Sequence, residues 1–120
     1  MNNYVPPWEV VQWAEEMFGP VARDKHERAH RFLEEAIELA HAAGVDLRTV
    51  DKISQRVYSR PAGEIAKEIG QARMTLNAFA WNIGVEPEAE ERREWDRIRA
   101  IPKEEWQRRH AAKIKIGIAG

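Results

Sequence analysis

Residues 29–44 read AHRFLEEAIELAHAAG, and this stretch decides the fold class. At 100° per residue of an α-helix, its apolar side chains fall on one face. They are Ala29, Phe32, Leu33, Ala36, Leu39, Ala40 and Ala43. Gly44 follows directly, at the position where helices commonly end in a left-handed residue. The stretch therefore predicts an amphipathic helix over residues 22–43 that buries one face.

The rest of the chain has the same character. Short segments with helical spacing alternate with Gly and Pro breakers, and no alternating strand pattern of any length occurs. The further predicted helices cover residues 8–18, a segment capped by Asp46, residues 64–82, 86–100 and 103–116. We therefore predict an all-α fold, a compact bundle of five to six helices.

Two of these helices carry apolar stripes that should be buried. The stripe after Asp46 consists of Leu47, Val50, Ile53 and Val57, and that of residues 64–82 consists of Ile65, Ile69, Ala72, Leu76, Phe79, Ala80 and Ile83. A small bundle often completes its core by pairing, so we expect a homodimer or a higher homo-oligomer.

Composition excludes several classes of protein. The 120 residues fit one domain, and 19 Lys and Arg against 20 Asp and Glu leave a net charge of -1, which does not favour nucleic acid as a partner. The absence of cysteine excludes disulfides, thiolate catalysis and zinc fingers. No apolar run approaches the roughly 20 residues of a membrane helix, and the start shows no signal peptide. A cytoplasmic protein without a membrane partner is expected.

Two groups of acids could carry chemistry. On a helical wheel Glu35 and Glu38 lie one turn apart beside the apolar face, and Glu68 lies on a polar ribbon of a later helix. If those two helices packed antiparallel, the three carboxylates would meet and would repel one another unless a hard divalent cation lay between them. The alternative is a solvated flank, in which Arg31 pairs with Glu35 one turn away.

Several motifs, in order, resemble the all-α nucleotide pyrophosphohydrolases of the MazG type, and most closely the small MazG-like proteins of phages and bacteria. The resemblance covers roughly residues 13–117. It rests on FGP at 18–20, RFLEEAIEL at 31–39, YSRPAGE at 58–64, GEIAKEIGQ at 63–71, MTL at 74–76 and RHAAK at 109–113. It implies a single MazG-like domain over 1–120 with a four-helix core. The N-terminal helix and turn take 1–20, the core with the acidic helices 22–84, and the C-terminal helices 86–120.

The resemblance also implies an activity. The superfamily binds Mg²⁺ through an ExxE pair and a later ExxD pair, and cleaves nucleoside triphosphates to a monophosphate and pyrophosphate. Glu35 and Glu38 match the first pair and Glu68 the first acid of the second, whereas Gln71 stands where the family has aspartate. An amide oxygen can ligate a hard cation but brings no charge, so Gln71 weakens the expected metal affinity. We expect Mg²⁺, or Mn²⁺, held by Glu35, Glu38, Glu68 and Gln71.

Catalytic and substrate-binding roles can be assigned on the hypothesis that this metal site is active. Glu34, Glu35 and Glu38 are the expected catalytic acids, with Glu34 or Glu38 as the base that takes a proton from the attacking water. Basic side chains should contact the phosphates of the substrate, and the candidates are Lys25, Arg28, Arg31, Arg109 and Lys113. A catalytically degenerate module that binds nucleotide or a protein partner without turnover is the alternative, with a small nucleic-acid binder using the basic C-terminal segment as a second rival.

Overall fold

The computed structural model describes residues 2–118, and all of the regular secondary structure in that range is helical. The six α-helices and one short 3₁₀-helix are α1 (Pro7–Phe18), the 3₁₀-helix (Pro20–Arg23), α2 (Lys25–Ala42), α3 (Leu47–Tyr58), α4 (Ile65–Asn82), α5 (Pro87–Arg99) and α6 (Lys103–Lys115). The predicted all-α class is confirmed. Most helix ends agree with the predictions within one residue.

The start of α2 differs most from its prediction. Residues 20–23 form the 3₁₀-helix, and Asp24 has an extended backbone, so the α-helix begins at Lys25 rather than at Ala22. The Asp24 carboxylate accepts a hydrogen bond from the backbone N–H of Glu27 at 3.1 Å. This bond satisfies one of the free N–H groups of the first turn, which is why the helix starts there.

Local signals set the other boundaries around α2 and α3. Gly44 has a φ of +89°, the left-handed conformation expected after a helix. Asp46 then caps α3, since its carboxylate accepts a hydrogen bond from the Thr49 backbone N–H at 2.8 Å. The predicted cap is therefore confirmed.

The chain divides into two compact units. The first holds residues 2–33 and 87–118 of the described range, and the second holds residues 34–86. In the first unit, α1 packs on α6 and on the 3₁₀-helix. Its buried apolar side chains are Val5, Ala14, Ala22 and Trp95. The assignment of residues 1–120 to one MazG-like domain stays a prediction.

Aromatic rings form the centre of the first unit. The Trp13 ring makes edge-to-face contacts with three others, at centroid distances of 5.3 Å to Trp106, 5.9 Å to Trp95 and 6.0 Å to Phe18. Such pairs add about 0.5–1.5 kcal/mol each beyond the area that they bury. The Trp106 indole N–H also donates to the Ile98 carbonyl oxygen at 3.1 Å, which ties α6 to α5. Trp95 on α5 and Trp106 on α6 therefore both pack on Trp13 of α1.

The second unit leaves most of its apolar side chains in solvent. Its helices α3 and α4 do not pack extensively on a neighbouring helix in the described chain. Fourteen of its large apolar side chains are exposed: Ile37, Leu39, Leu47, Ile53, Val57, Tyr58, Ile65, Ile69, Met74, Leu76, Phe79, Trp81, Ile83 and Val85. We refer to this set as the apolar surface of the second unit.

The predicted burial of the apolar faces of α2, α3 and α4 is therefore wrong for the single chain. Of those faces, Ala80 is buried, Ala40, Val50 and Ala72 are half-buried, and the larger side chains, Phe32 and Leu33 on α2 among them, are exposed. The physical reason is that an amphipathic pattern indicates a face whose burial would lower the free energy of the protein. The pattern does not identify the element that would cover that face. None of the six helices in residues 2–118 combines the length and apolar character that crossing a bilayer requires.

Candidate metal centre

Helix α2 positions one cluster of acids. Glu34, Glu35 and Glu38 each offer one carboxylate oxygen, and these oxygens lie within 4.8 Å of one another. Glu35 and Glu38 are three residues apart and Glu34 and Glu38 are four apart, spacings that place side chains on the same side of a continuous helix. Glu34 is half-buried, whereas Glu35 and Glu38 are exposed. Within residues 2–118, no other group of at least three acidic, His or Cys side chains has its ligand atoms this close together.

The second predicted group of ligands lies on α4. Glu68 and Gln71 are both exposed, one turn apart, and Glu68 is not a member of the cluster on α2. The Glu68 carboxylate folds back toward Gly63, where an added Cβ would lie 2.7 Å from Glu68 Oε1. Gly63 therefore leaves room for this side chain just before α4 begins. The joint ligand set of Glu35, Glu38, Glu68 and Gln71 stays a prediction.

Two of the predicted phosphate-binding arginines make contacts inside the first unit. Arg31 lies 3.3 Å from the carboxylate of Glu27, measured from Nε to Oε1, and its Nη2 donates to the Ile118 carbonyl oxygen. Glu27 is buried, so this ion pair is largely shielded from water. Burial lowers the pKa of Arg28, while the charge of Glu27 opposes that shift. Arg31 thus joins α2 to the C-terminal segment.

The sequence pattern alone did not reveal the role of Glu27. Glu27 is the buried charged residue within residues 2–118. The signal in the sequence that could have revealed its ion pair was its position four residues before Arg31, because i,i+4 pairs of opposite charge meet on a helix. The structure shows this pair, with Arg31 Nε 3.3 Å from Glu27 Oε1.

The remaining predicted phosphate contacts lie at other places in the first unit. Lys25 is exposed at the start of α2. On α6, Arg109 donates from Nε to Glu105 Oε1 at 3.0 Å, and its guanidinium lies 5.2 Å from the Trp106 ring centroid. Lys113 is half-buried on the same helix. The phosphate-binding role of these three side chains stays a prediction.

A separate depression of about 410 Å³ lies in the first unit between the end of α1 and α6. Glu15, Glu16, Gln107 and His110 line it together with apolar side chains. The His110 ring lies 4.9 Å from the Phe18 ring, tilted by 36°, so it packs on the aromatic centre. The acids of the α2 cluster do not line this depression, so the depression is not part of the candidate metal centre.

Comparisons with known proteins identify no relative. No protein-family profile, no curated protein and no solved structure matches the chain. The resemblance to MazG-like proteins therefore rests on the sequence motifs alone. The functional argument rests on the chemistry of the side chains that α2 brings together.

Proposed function

We propose that the protein is a Mg²⁺-dependent nucleoside triphosphate pyrophosphohydrolase, which cleaves ribo- or deoxynucleoside triphosphates to the monophosphate and pyrophosphate. The observation that supports this proposal is the set of three carboxylate oxygens of Glu34, Glu35 and Glu38 within 4.8 Å of one another. The order of the MazG-like motifs supplies the reaction class.

The donor set fits a hard divalent cation. Carboxylate oxygens are ligands of choice for Mg²⁺ and Mn²⁺, and the chain has no cysteine that would favour a softer metal. Glu35 and Glu38 would hold the ion, with Glu68 and Gln71 as the further proposed ligands. When bound, the ion supplies positive charge that attracts the triphosphate oxygens and offsets the charge that develops on the leaving pyrophosphate.

The side chains of the cluster would also handle the proton of the attacking water. The water oxygen forms a bond to the α-phosphorus, the bond from that phosphorus to the α–β bridging oxygen breaks, and the pyrophosphate leaves with the electron pair. Glu34 or Glu38, whichever is less engaged by the metal, would accept the proton. Lys25, Arg28, Arg31, Arg109 and Lys113 are the proposed contacts to the phosphate groups.

Metal binding and turnover are tested separately. We expect Mn²⁺ to bind the wild-type protein in a titration followed by electron paramagnetic resonance, with Mg²⁺ as competitor. A panel of nucleoside triphosphates, assayed with Mg²⁺ or Mn²⁺ for pyrophosphate against phosphate, should release pyrophosphate. Glu35→Gln should lose both metal binding and turnover, because it removes one negative ligand while keeping the size of the side chain. Glu68→Gln should abolish the release of pyrophosphate.

A matched control is Glu91→Gln, an exposed glutamate on α5 outside the cluster, which should behave as the wild type. Helical circular dichroism should be the same for all variants. A wild-type protein that binds Mn²⁺ and nucleotide without turnover would favour the degenerate module, for which Gln71 would be the cause. A wild-type protein that binds neither metal would refute the proposed metal centre.

We also propose that the chain works as a homo-oligomer, because its second unit exposes an apolar surface that a monomeric enzyme would leave in water.

A further inference from the structure

Helix α3 carries a row of three basic side chains. Arg48, Lys52 and Arg56 recur every four residues, so they lie along one side of the helix at intervals of about 6 Å. All three are exposed. Within residues 2–118 none of them forms an ion pair, and the exposed Asp51, three residues after Arg48, is not a partner. We call these three side chains the basic row of α3.

Arginines on α5 are held instead by acids of their own helix. Arg93 Nη1 lies 3.0 Å from Glu90 Oε1, and Arg97 Nε donates to Glu94 Oε1 at 2.9 Å. Each acid stands three residues before its arginine, so the opposite charges meet within the chain. In the basic row of α3 the neighbours four residues apart have the same sign, and such pairs modestly destabilise a helix. An anion from outside the chain would therefore stabilise the row.

The basic row lies on the side of α3 away from its apolar face. At 100° per residue, Lys52 lies about 160° from Val50 and about 140° from Val57. A second chain that covers the apolar face therefore need not cover the basic row. The row is available to a partner whether the protein is a monomer or an oligomer.

The net charge of the whole chain does not reveal this row. Residues 47–60, from the start of α3 through the turn after it, contain four Lys or Arg and one acid, a local charge of +3. The whole chain has a net charge of -1. At physiological salt, exposed charges farther apart than about 8 Å are largely screened from one another. A phosphate group at the row is therefore attracted by the local charge more than it is repelled by acids elsewhere.

An exposed aromatic ring and a further cation follow the row. Tyr58, the last residue of α3, is 87% exposed, and Arg60, also exposed, stands two residues later. Proteins that bind single-stranded nucleic acid combine such features, because cations contact the backbone phosphates while an aromatic ring stacks on a base. The bases of a duplex already stack on one another, so a single strand offers the free base that Tyr58 can contact.

We propose that the basic row of α3, together with Tyr58 and Arg60, binds single-stranded nucleic acid through its backbone phosphates and one stacked base. Three of the four cations are arginines, whose planar guanidinium can make two parallel hydrogen bonds to one phosphate. An acidic protein segment fits less well, because its carboxylates offer no base to Tyr58. This binding depends neither on the metal centre nor on the proposed pyrophosphohydrolase activity.

The first test measures the binding of fluorescein-labelled oligo(dT) by fluorescence anisotropy over a series of salt concentrations. EDTA is present throughout, so that the proposed metal centre takes no part. With four cations on phosphates and about 0.7 counterions released per contact, the logarithm of the association constant should fall against the logarithm of salt concentration with a slope of about -3. A duplex of the same length should compete less well than unlabelled oligo(dT).

Paired variants separate the row from the net charge. Arg48→Gln with Arg56→Gln should weaken binding at low salt by at least about tenfold and reduce the slope by about 1.4, because two phosphate contacts are lost. The matched control is Arg93→Gln with Arg97→Gln, which removes the same charge from α5 and should bind as the wild type. Glutamine keeps a high helix propensity, and circular dichroism checks the fold of both variants.

Variants of Tyr58 test the stacked base. Tyr58→Ala should weaken binding by about fivefold or more with an unchanged salt slope, whereas Tyr58→Phe should bind as the wild type because it keeps the ring. A wild-type protein that does not bind oligo(dT) at about 50 mM salt overturns the proposal. An equal loss in the two arginine pairs, or an equal effect of Tyr58→Ala and Tyr58→Phe, also overturns it. So does competition by poly-glutamate as strong as that by oligo(dT), which would assign the row to an acidic protein.

Discussion

Trp95 is the residue whose replacement by alanine should lower the stability of the first unit most. Trp95 is 5% exposed and contacts Trp13 edge-on at 5.9 Å, and the Arg99 guanidinium lies 4.8 Å from its ring centroid. At about 200 Å² of side-chain area and about 25 cal/mol per Å², burial contributes at most about 5 kcal/mol. Since the unfolded chain already buries part of that area, we expect Trp95→Ala to lower the free energy of unfolding by about 3–4 kcal/mol.

Trp95→Phe separates packing from hydrogen bonding at the same position. The buried Trp95 Nε1 has no hydrogen-bond partner within residues 2–118, so the wild-type protein carries a desolvated donor there. Removing an unsatisfied buried donor recovers about 1–3 kcal/mol, which offsets the smaller buried area and the weaker packing of the phenyl ring. We therefore expect Trp95→Phe to lie within about 1 kcal/mol of the wild type.

The assay is urea unfolding followed by circular dichroism at 222 nm, at one fixed protein concentration, since association would itself shift the midpoint. Amide hydrogen exchange by mass spectrometry should show that Trp95→Ala loses protection in α1 and α6, the helices that pack in the first unit. Trp8→Ala is the control, because Trp8 is 65% exposed in the same unit and should change stability by no more than about 0.5 kcal/mol. A loss below about 1 kcal/mol for Trp95→Ala, or an equal loss for Trp95→Phe, would refute the reasoning.

Two further predictions concern local structure. Gly44→Ala should lower the free energy of unfolding by about 1 kcal/mol, because φ at Gly44 is +89°. Gly70→Ala should raise it by about 0.5–1 kcal/mol, because Gly70 lies inside α4 with open space where a Cβ would be added. Urea unfolding that moved both variants in the same direction would contradict this. Hydrogen bonds from Arg108 and Arg109 lower the pKa of Glu105 from 4.5 to about 2. The contribution of these bonds to stability should therefore be present above pH 4.5 and be lost as the pH falls through 2. An NMR titration of the Glu105 carboxyl carbon with a midpoint near 4.5 would contradict this prediction.

The helices could be predicted because their signals are local. Pro7, Gly19-Pro20 and Pro102 mark boundaries through the backbone conformations that these residues allow, and Asp46 caps α3 through a bond to a residue three positions away. The one clear error in a helix boundary, the start of α2, arose because the 3₁₀-helix at Pro20–Arg23 has a period close enough to 3.6 to be taken for the first turn of α2.

The candidate site could be predicted in part for the same reason. Glu35 and Glu38 meet because helical spacing alone brings them together, and Glu34 joins them because it lies four residues, about one turn, before Glu38. Whether Glu68 shares a cation with them depends on packing between helices, which spacing within one helix does not determine. The burial of Glu27 beside Arg31 was likewise hidden, because an ion pair at helical spacing looks the same on a solvated surface as in a core.

The sequence by itself determined most of the helix ends, which face of each helix is apolar, and which acids on α2 lie close together. All of these follow from backbone conformation and from the periodicity of 3.6 residues. Only the tertiary structure decided that Trp13, Trp95 and Trp106 meet in the first unit. It also decided that the apolar faces of α3 and α4 stay exposed in a single chain. Burial depends on contacts between residues far apart in sequence, or on another molecule, and a periodic pattern shows that a face would be stabilised by cover without showing what provides it.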